Sequence, residues 1–338
     1  MTITNHKSRI RVAIIGASGV TGDSIVNALL AHPDGQFNVA ALVRPGSLGN
    51  PAYGYLRQRG VEIIPADLGG PLNQLISVLS GIDVVISAIF YGSLDFEIPL
   101  ATAAKAAGVG RFIQSAYNIP VPAKGVYYIR EKKEEILSHI QQLRLPYTYI
   151  DVGWWYHVVL PRIPSGRTEH ALPCGSMDLP IADLGNVPSC LTHIRDVGRY
   201  IARIITDQRT LNKKVFVYNE ALTQNQVYEI IECVSDERPK RTYISEKDIR
   251  IWREEAQREV QKNSSDVVAL GQLCLRDVFL ASNVNGYNTP EYAEYLGYLS
   301  GKELYPDFEY LTYEDYVQEV LEGKHGEDVV TYRTKQLK

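Results

Sequence analysis

The sequence lacks the features that mark a membrane protein or a nucleic-acid-binding protein. No apolar run approaches the roughly 18 residues that a membrane-spanning helix needs. Lysine and arginine form no basic run, and the formal net charge of −4 disfavours a polyanionic partner. MTITNHKSR leads straight into the first predicted strand, so no signal peptide is expected. We therefore predict a cytoplasmic protein that binds neither a membrane nor a nucleic acid.

Cysteine and histidine are too scattered for a disulfide framework or a metal centre. Cys174, Cys190, Cys233 and Cys274 lie far apart without paired spacing, which predicts reduced thiols. The seven histidines show no ligand spacing, so we expect no metal site. With 338 residues, 45% of them hydrophobic and 22% charged, the chain is long enough for one large domain and a smaller one.

Three glycines follow the first apolar run, in VAIIGASGVTG. Val12–Ile15 is short and β-branched, which predicts a buried strand, and Ser24–Leu30 has a helical pattern. In such a unit the first glycine permits a tight turn, the second lets a pyrophosphate approach the backbone, and the third lets helix and strand pack closely. Gly16, Gly19 and Gly22 therefore predict a dinucleotide site, with a purely structural turn as the alternative.

The residue after the second strand indicates which dinucleotide is bound. Phe37–Val43 predicts that strand, about 20 residues after the glycines, where the residue that reads the adenosine ribose is expected. An NAD-preferring site would offer Asp or Glu there, whereas this chain offers Arg44. A cation at this position suits a 2′-phosphate, so we predict NADP(H) as the cofactor. The alternative is that Arg44 is an ordinary exposed charge.

Short apolar strands continue to alternate with helical segments. The later predicted strands are Val61–Pro65, Asp83–Ile89, Arg111–Ser115 and Tyr147–Val152. This alternation predicts an α/β fold, with a doubly wound parallel sheet and ligands beyond the carboxyl ends of its strands. The residues at those ends, which form the candidate rim of the site, are Ala88, Ile89, Phe90, Ser115, Ala116, Tyr117, Gly153 and Trp154.

The second half of the chain predicts a separate lobe. Residues 156–191 are rich in Pro and Gly and predict long loops, in which Arg162 and Arg167 either meet a substrate carboxylate or stay in water. We predict a Rossmann-type domain of residues 1–155, to which 192–235 returns. Residues 156–191 and 236–338 would form a smaller, mainly helical substrate-binding lobe. The last residues, from 326 to 338, predict a mobile tail.

The motifs in this order resemble one known family. GASGVTG, LVRP, GVEIIPADLGGPLNQLISVLSGIDVVIS, RFIQS, a lysine-bearing helix and LPYTYI look like the NmrA-like and isoflavone-reductase-like branch of the short-chain dehydrogenase/reductase superfamily. The likeness covers residues 9 to 235 and implies a Rossmann fold with NADPH and a smaller substrate domain. It places Arg44 on the 2′-phosphate arginine and Ser115 on the serine of the family's P-S-E-F-G. The pyrophosphate loop that it implies consists of Gly16, Ser18, Gly19, Val20, Thr21 and Gly22.

The family's catalytic lysine has two candidates here, in REKKEE. Counting back from Pro146 at the family's spacing leads to Lys133, and the apolar positions of the helix agree. Lys132 would instead complete Tyr128-x-x-x-Lys132, which resembles the wider superfamily, where the tyrosine is the general acid and the lysine lowers its pKa. We favour Lys133, with Lys133 or Tyr128 as the proton donor. In the superfamily the lysine also holds the nicotinamide ribose hydroxyls, so we assign Lys133 to cofactor binding, together with Ala88, Ile89 and Ser115 at the strand ends. The alternative is that Lys132 and Lys133 are both ordinary solvated charges at the start of a helix.

A hydride transfer also needs a wall beside the nicotinamide and the exclusion of water. We predict that Tyr117, Trp154, Trp155 and Tyr156 bind the substrate. For the last three, packing in the core between domains is the alternative. His157 is a candidate for a second acid. The predicted function is an NADPH-dependent reductase of an aromatic or heteroaromatic small molecule, at C=C, C=N or C=O, in secondary metabolism. The alternatives are a non-catalytic NADP(H)-binding redox sensor of NmrA type and a non-redox cyclase or isomerase. The 22 tyrosines suit an aromatic ligand or a dimer contact, so both monomer and homodimer stay open.

Overall fold

The first apolar run forms the centre of a parallel sheet. In the computed structural model, which describes residues 9–172 and 178–324, β1 (Ile10–Ile15) pairs with β2 (Phe37–Val43) on one side and β4 (Val84–Ser87) on the other. The side chains of residues 12–14 are fully shielded from solvent, as expected for a parallel strand covered on both faces. The same part of the chain contains no helix that is both long enough and apolar enough to cross a membrane.

Eight strands make up this sheet. The other five are β3 (Glu62–Pro65), β5 (Arg111–Ile113), β6 (Tyr147–Asp151), β10 (Lys213–Phe216) and β13 (Leu299–Ser300). Their order is β13-β10-β6-β5-β4-β1-β2-β3, and the pairs from β3 through to β6 are all parallel. The order reverses direction between β1 and β4, which is where a doubly wound sheet opens a crevice for a ligand. The predicted fold class is confirmed.

Helices and short strands complete the fold. The helices are α1 (Val20–Leu30), α2 (Pro51–Gln58), α3 (Leu72–Val78), α4 (Glu97–Ala106), α5 (Tyr128–Gln142), α6 (Tyr156–Val159), α7 (Ile194–Ile204), α8 (Gln224–Ser235), α9 (Glu246–Lys262), α10 (Val267–Asn283), α11 (Pro290–Tyr295), α12 (Gly301–Leu304) and α13 (Tyr313–Leu321). The remaining strands are β7 (Trp154–Trp155), β8 (Ile181–Ala182), β9 (Ser189–Thr192), β11 (Glu220–Leu222) and β12 (Tyr243–Ile244). The predicted loops of residues 156–191 thus contain α6, β8 and part of β9.

Helix α2 was missed by the sequence analysis. The glycine and proline of α2 weaken its helical pattern in the sequence, but residues typical of a helix start stand at its N-terminus. The Asn50 side chain accepts a hydrogen bond from the Ala52 N–H over 2.9 Å, and Pro51 occupies the first helical position. Both are preferred residues at a helix N-terminus. This helix follows the segment that carries Arg44.

The described chain divides into two compact units. The first comprises residues 9–115, 135–149 and 197–213, and the second comprises 116–134, 150–172, 178–196 and 214–324. This division differs from the predicted bounds, because 116–134 groups with the second unit and only 197–213 of 192–235 groups with the first. Hydrogen bonds to other segments of the second unit explain the first difference, since the Tyr117 N–H donates to the Ile150 carbonyl and the Tyr128 N–H donates to Asp277.

Small residues bring two helices of the first unit together. A Cβ at Gly198 of α7 would lie only 2.1 Å from the carbonyl oxygen of Ser24 in α1. The Gly198 N–H also donates to Ser24 Oγ over 3.1 Å. The backbones of α1 and α7 are therefore in direct contact, which fixes the helix that follows the glycine loop.

Candidate active site

The loop after β1 is tightly constrained. Gly16 has a φ of +79°, and a Cβ there would lie 2.3 Å from the carbonyl oxygen of Ala88. A Cβ at Gly22 would lie 2.0 Å from the carbonyl oxygen of Gly16. At Gly19 the closest atom would be 3.3 Å away, so this position has more room. The turn and the packing of α1 therefore require glycine at residues 16 and 22, in agreement with the roles given to the first and third glycines.

Helix α1 begins directly after this loop without a side-chain cap. Gly19 is its N-cap residue and provides no side-chain acceptor for the first turn, in which Val20 and Thr21 are half-buried. The first N–H groups of a helix have no partner within the helix and, with the helix dipole, favour an anion. Ser18 Oγ, also in the loop, donates to the Tyr53 hydroxyl over 3.1 Å. The loop therefore has the geometry of an anion site.

Arg44 stands at the end of β2 with an exposed side chain. It forms no ion pair with any residue that the structure describes. The two arginines for which a substrate carboxylate was an open alternative differ from it. Arg162 pairs with Asp178 over 2.8 Å, and Arg167 pairs with Glu237 over 2.6 Å. Carboxylates balance both of these charges, whereas no carboxylate of residues 9–172 or 178–324 balances that of Arg44.

Ser115 is held by its own unit. Its N–H donates to Oε1 of the fully buried Glu97 over 2.8 Å, and its Oγ donates to the Ile89 carbonyl over 3.1 Å. Ala88 and Ile89 follow β4 and are half-buried. Ser115 therefore joins the ends of β4 and β5, and β4 is one of the two strands beside the reversal in strand order.

Lys133, and not Lys132, lies on the buried face of α5. Its side chain is 6% exposed, and Nζ donates to the Ala116 carbonyl. Ile129, Ile136 and Ile140 share the buried face at helical spacing, whereas Lys132 is half-buried. This placement favours the register that leads to Lys133. It also overturns the alternative of two solvated charges for Lys133.

The segment that anchors Lys133 has an unusual backbone. Tyr117 has a φ of +41°, a left-handed conformation that is uncommon outside glycine, and its N–H donates to the Ile150 carbonyl over 2.9 Å. The carbonyl of Asn118 accepts from the N–H groups of Val152 and Gly153. These backbone bonds fix the carbonyl of Ala116 relative to the chain that follows β6.

Tyr128 begins α5 with a side chain that is 44% exposed. Its backbone N–H donates to Oδ2 of Asp277 over 2.8 Å, and Oδ1 of this fully buried carboxylate accepts from Arg253 Nε over 2.6 Å. Burial raises the pKa of Asp277 above its ordinary value. Asp277 thus caps the lysine helix from α10. The sequence analysis did not identify Asp277 as a cap of α5, because residues 128 and 277 are far apart in the chain and no sequence pattern connects them.

Arg130, three residues before Lys133, is completely buried. Its guanidinium donates to Asp151 over 2.7 Å, to Glu134 over 2.8 Å and to the hydroxyl of Tyr298. Each of these partners also lies in the second unit. The charge is compensated by two carboxylates, as a buried guanidinium requires.

A thiol also lies close to Lys133. Burial is the main cause that raises the pKa of Cys274 to about 12, and the nearby positive charge of Lys133 opposes this shift. Burial likewise raises the pKa of Tyr127 well above its ordinary value, and the Tyr127 hydroxyl accepts from Asn118 Nδ2 over 3.0 Å. Both groups are therefore protonated at neutral pH. The thiol near the lysine is therefore a neutral group.

The second unit contains a pocket beside Trp154. Its volume, including the open mouth, is about 630 Å³. The lining residues are Trp154, Val158, Val159, Leu160, Pro161, Leu172, Asp178, Leu179, Ser189, Leu191, Leu222, Gln224, Val227, Tyr228 and Asn283. A mainly apolar lining with a few polar side chains is typical of a small-molecule site. Apart from Trp154, sequence reasoning named none of these residues as a substrate contact, since they come from distant segments.

The four predicted substrate-binding aromatic residues have different surroundings. Trp154 lines the pocket, whereas Tyr117 is buried outside its lining, and Trp155 stacks on His157 at 5.5 Å between ring centroids. The prediction for Tyr156 is corrected, because its side chain is fully buried. Its hydroxyl binds Glu220 and the Leu311 carbonyl, and its ring packs among other rings of the core, so it offers no surface to a ligand.

The comparisons with known proteins agree on the family. The model of the NmrA-like family matches residues 8–317. Asnovolin J 5′,6′-dehydrogenase of Aspergillus novofumigatus is 67% identical over 320 residues, which cover 95% of this chain and 98% of that protein. Phenylcoumaran benzylic ether reductase of Betula pendula is 29% identical over 335 residues, which cover 94% and 99%.

Solved structures share the fold. Leucoanthocyanidin reductase from Vitis vinifera, in a binary complex with NADPH, matches with a TM-score of 0.74 at 20% identity, over 92% of this chain and 99% of that one. An isoflavone reductase matches with a TM-score of 0.73 at 23% identity, with the same coverage. At these identities the likeness shows the α/β architecture.

Proposed function

The chain belongs to the NmrA-like family, and from this premise we propose that it is an NADP(H)-dependent dehydrogenase of a secondary metabolite. The observation that carries this proposal is the 67% identity to asnovolin J 5′,6′-dehydrogenase over nearly the whole of both chains. The name of that relative describes dehydrogenation across two numbered positions of asnovolin J. We therefore assign oxidation of the substrate as the physiological direction.

The residues of the first unit fit the cofactor. Gly16 and Gly22 keep side chains out of the turn, and the uncapped start of α1 offers backbone N–H groups to a pyrophosphate. Arg44 has no ion pair within the described chain, so its guanidinium is available for a 2′-phosphate. The bound cofactor supplies the hydride acceptor in the oxidised form and the donor in the reduced form.

Lys133 is the residue to which we assign proton transfer. Dehydrogenation of two adjacent carbons releases one hydride and one proton, so a base must take the proton. The bond from Lys133 Nζ to the Ala116 carbonyl requires one N–H, which the amine has in both of its protonation states. The lysine can therefore exchange a proton without losing its anchor. Tyr128, with its exposed side chain, is the alternative.

The test is a hydride-transfer assay with asnovolin J, the substrate in the relative's name, and purified full-length protein. With NADP+ we expect the nicotinamide absorbance of NADPH to appear together with a product lighter by two hydrogens. With NAD+ the rate should be much lower. Substrate deuterated at the two positions should transfer one deuterium to the cofactor. Cofactor binding without any transfer would contradict the proposal and favour a redox sensor.

A second candidate is a reductase of an aromatic molecule. It is favoured by the name of the Betula pendula relative, a phenylcoumaran benzylic ether reductase at 29% identity. The same protein incubated with NADPH deuterated at C4 and a panel of aromatic enones, imines and ketones separates the two candidates. Deuterium in a panel product, with no reaction of asnovolin J, would favour the reductase.

A further inference from the structure

The carboxylate of Asp151 binds two segments of the second unit at once. Its Oδ1 accepts a hydrogen bond from the Asn118 N–H over 3.2 Å. Its Oδ2 accepts a hydrogen bond from Arg130 Nη1, on α5, over 2.7 Å. The side chain of Asp151 is completely buried, so solvent does not compete for either oxygen. One buried carboxylate thus joins α5 to the segment that follows Ser115.

These two segments carry Lys133 and its anchor. Lys133 follows Arg130 by three residues, which places both side chains on the same side of α5. Lys133 Nζ donates to the carbonyl of Ala116, which is two residues before Asn118. The spacing between α5 and this anchor segment, residues 116–119, therefore decides where Nζ lies. Asp151 binds both sides of that spacing.

The backbone of the anchor segment needs to be held from outside. Tyr117 has a φ of +41°, and a left-handed residue other than glycine persists only where its surroundings fix it. The bond from the next N–H, that of Asn118, to Asp151 is one such restraint. Arg130 Nη1 also donates to the Ile119 carbonyl over 3.4 Å. Because Asp151 binds this guanidinium, its carboxylate supports both restraints.

Two other side chains bind the same guanidinium. The Tyr298 hydroxyl accepts from Arg130 and donates to Asp151 Oδ2 over 2.6 Å, and burial raises the pKa of Tyr298 well above its ordinary value, so the donor keeps its proton. Glu134 Oε1 accepts from Arg130 Nε over 2.8 Å. Both ends of this last bond lie on α5, so the bond does not join the helix to the anchor segment. The two carboxylates around Arg130 therefore differ in geometry.

Resting on the proposed function, we propose that Asp151 is a positioning residue for proton transfer by Lys133. It holds α5 and the Ala116 carbonyl at the spacing that keeps Nζ in place. Without the carboxylate the anchor segment can move, and reaction rates are sensitive to displacements of about 1 Å at the reacting groups. Glu134 still pairs with Arg130 in that case, so part of the buried charge remains compensated.

The first test is a double-mutant cycle on kcat in the hydride-transfer assay. In Asp151→Asn we expect kcat to fall about tenfold to a hundredfold, with KM and NADP+ affinity changed by less than about twofold. In the Lys133→Ala background the same substitution should lower kcat no further, because both changes remove the same function. An equally large further loss in that background would indicate a merely structural role and overturn the proposal.

Glu134→Gln is the matched comparison. It neutralises the other carboxylate on the same guanidinium, and the bond to Arg130 that it weakens lies within α5. We expect it to lower kcat far less than Asp151→Asn does. Equal losses of kcat in the two variants would mean that the charge around Arg130, rather than the link to the anchor segment, matters, and the proposal would fail.

A milder variant keeps the test decisive if Asp151→Asn does not fold. Tyr298→Phe removes one donor to Asp151 Oδ2 but leaves the carboxylate and its bond to Asn118. It should lower kcat by less than Asp151→Asn, and again by nothing in the Lys133→Ala background. A loss that persists unchanged in that background contradicts the proposal.

A labelling experiment tests the position of Lys133 without turnover. Acetic anhydride at low dose acetylates accessible amines of the full-length protein, and mass spectrometry compares Lys133 with its neighbour Lys132. In the wild type Lys133, which is 6% exposed, should react more slowly than the half-buried Lys132. Asp151→Asn should raise the relative labelling of Lys133 severalfold, and Glu134→Gln should raise it far less.

The labelling separates this proposal from the proposed function. If the wild type transfers no hydride, the proposed function fails, but a raised labelling of Lys133 in Asp151→Asn still supports the role of the carboxylate in holding the lysine. Unchanged labelling in Asp151→Asn would overturn the positioning role whether or not the protein is active. Raised labelling with an unchanged kcat would overturn it as well.

Discussion

The glycine loop and the surroundings of Lys133 are built in opposite ways. The loop is made by seven consecutive residues, and its shape follows from the absence of side chains at Gly16 and Gly22. Lys133 instead depends on distant segments, since its anchor is Ala116 and its helix is capped by Asp277 of α10. A site of the first kind can be recognised in a sequence, whereas a site of the second kind needs the fold. Both belong to one proposed reaction.

The largest expected effect is the loss of kcat when Lys133 is replaced. Lys133→Ala should lower kcat by about a hundredfold to ten-thousandfold, the usual contribution of a general acid or base. NADP+ binding, measured by calorimetry, should change little. Lys132→Ala is the matched control, because Lys132 is not on the buried face of α5. If Lys132→Ala abolishes turnover and Lys133→Ala does not, the assignment of the lysine is wrong.

Adding a single methyl group to the glycine loop should lower the stability of the protein. In Gly22→Ala the new Cβ meets the Gly16 carbonyl, so the free energy of unfolding should fall by about 3 kcal/mol or more, as for other backbone clashes. Gly19→Ala is the control, with its closest atom at 3.3 Å, and it should cost far less. Chemical denaturation measures both. Equal losses would contradict the proposed difference between the two glycines.

A variant at Arg44 tests whether the proposed cofactor site prefers NADPH to NADH. Arg44→Ala should weaken NADPH binding by about tenfold to a hundredfold, the effect of losing a charged hydrogen bond, and leave NADH binding nearly unchanged. Arg57→Ala, which removes an exposed arginine of α2, should affect neither cofactor. Similar losses for NADPH and NADH would refute the 2′-phosphate assignment.

Asp277 should give the smallest effect, visible as a pH dependence. Because burial raises the pKa of Asp277, the folded protein favours the protonated carboxyl. This preference adds to the free energy of unfolding below the ordinary pKa of 3.8. The contribution is lost as the pH rises through the pKa of the folded state. Asp277→Asn is neutral throughout, so the wild type should lose stability relative to this variant as the pH rises from about 4. Denaturation curves at several pH values measure it. The exposed Glu259→Gln should show no such trend, and a parallel trend would refute the assignment.

Sequence reasoning predicted the parts of the molecule that local physics determines. The sheet, the glycine loop and the buried face of α5 follow from glycine positions and apolar periodicity, and the structure has all three. Helix α2 was missed because proline and glycine weaken its pattern. The prediction for Tyr156 was wrong, because a run of aromatic residues does not reveal which ring faces the core. Asp277 and most of the pocket could not be predicted, since their contacts join residues far apart in the chain.

The anchor of Lys133 has a consequence for how this sequence could diverge. The lysine is held by a carbonyl, which every amino acid carries in its backbone, so this hydrogen bond does not itself require alanine at residue 116. Here Ser115 is followed by Ala116-Tyr117-Asn118, where the family it resembles has Glu-Phe-Gly. Substitutions in this segment that preserve its backbone can therefore leave the bond to the lysine in place. The identity of the residue that supplies the anchor is thus not set by the hydrogen bond that holds the lysine.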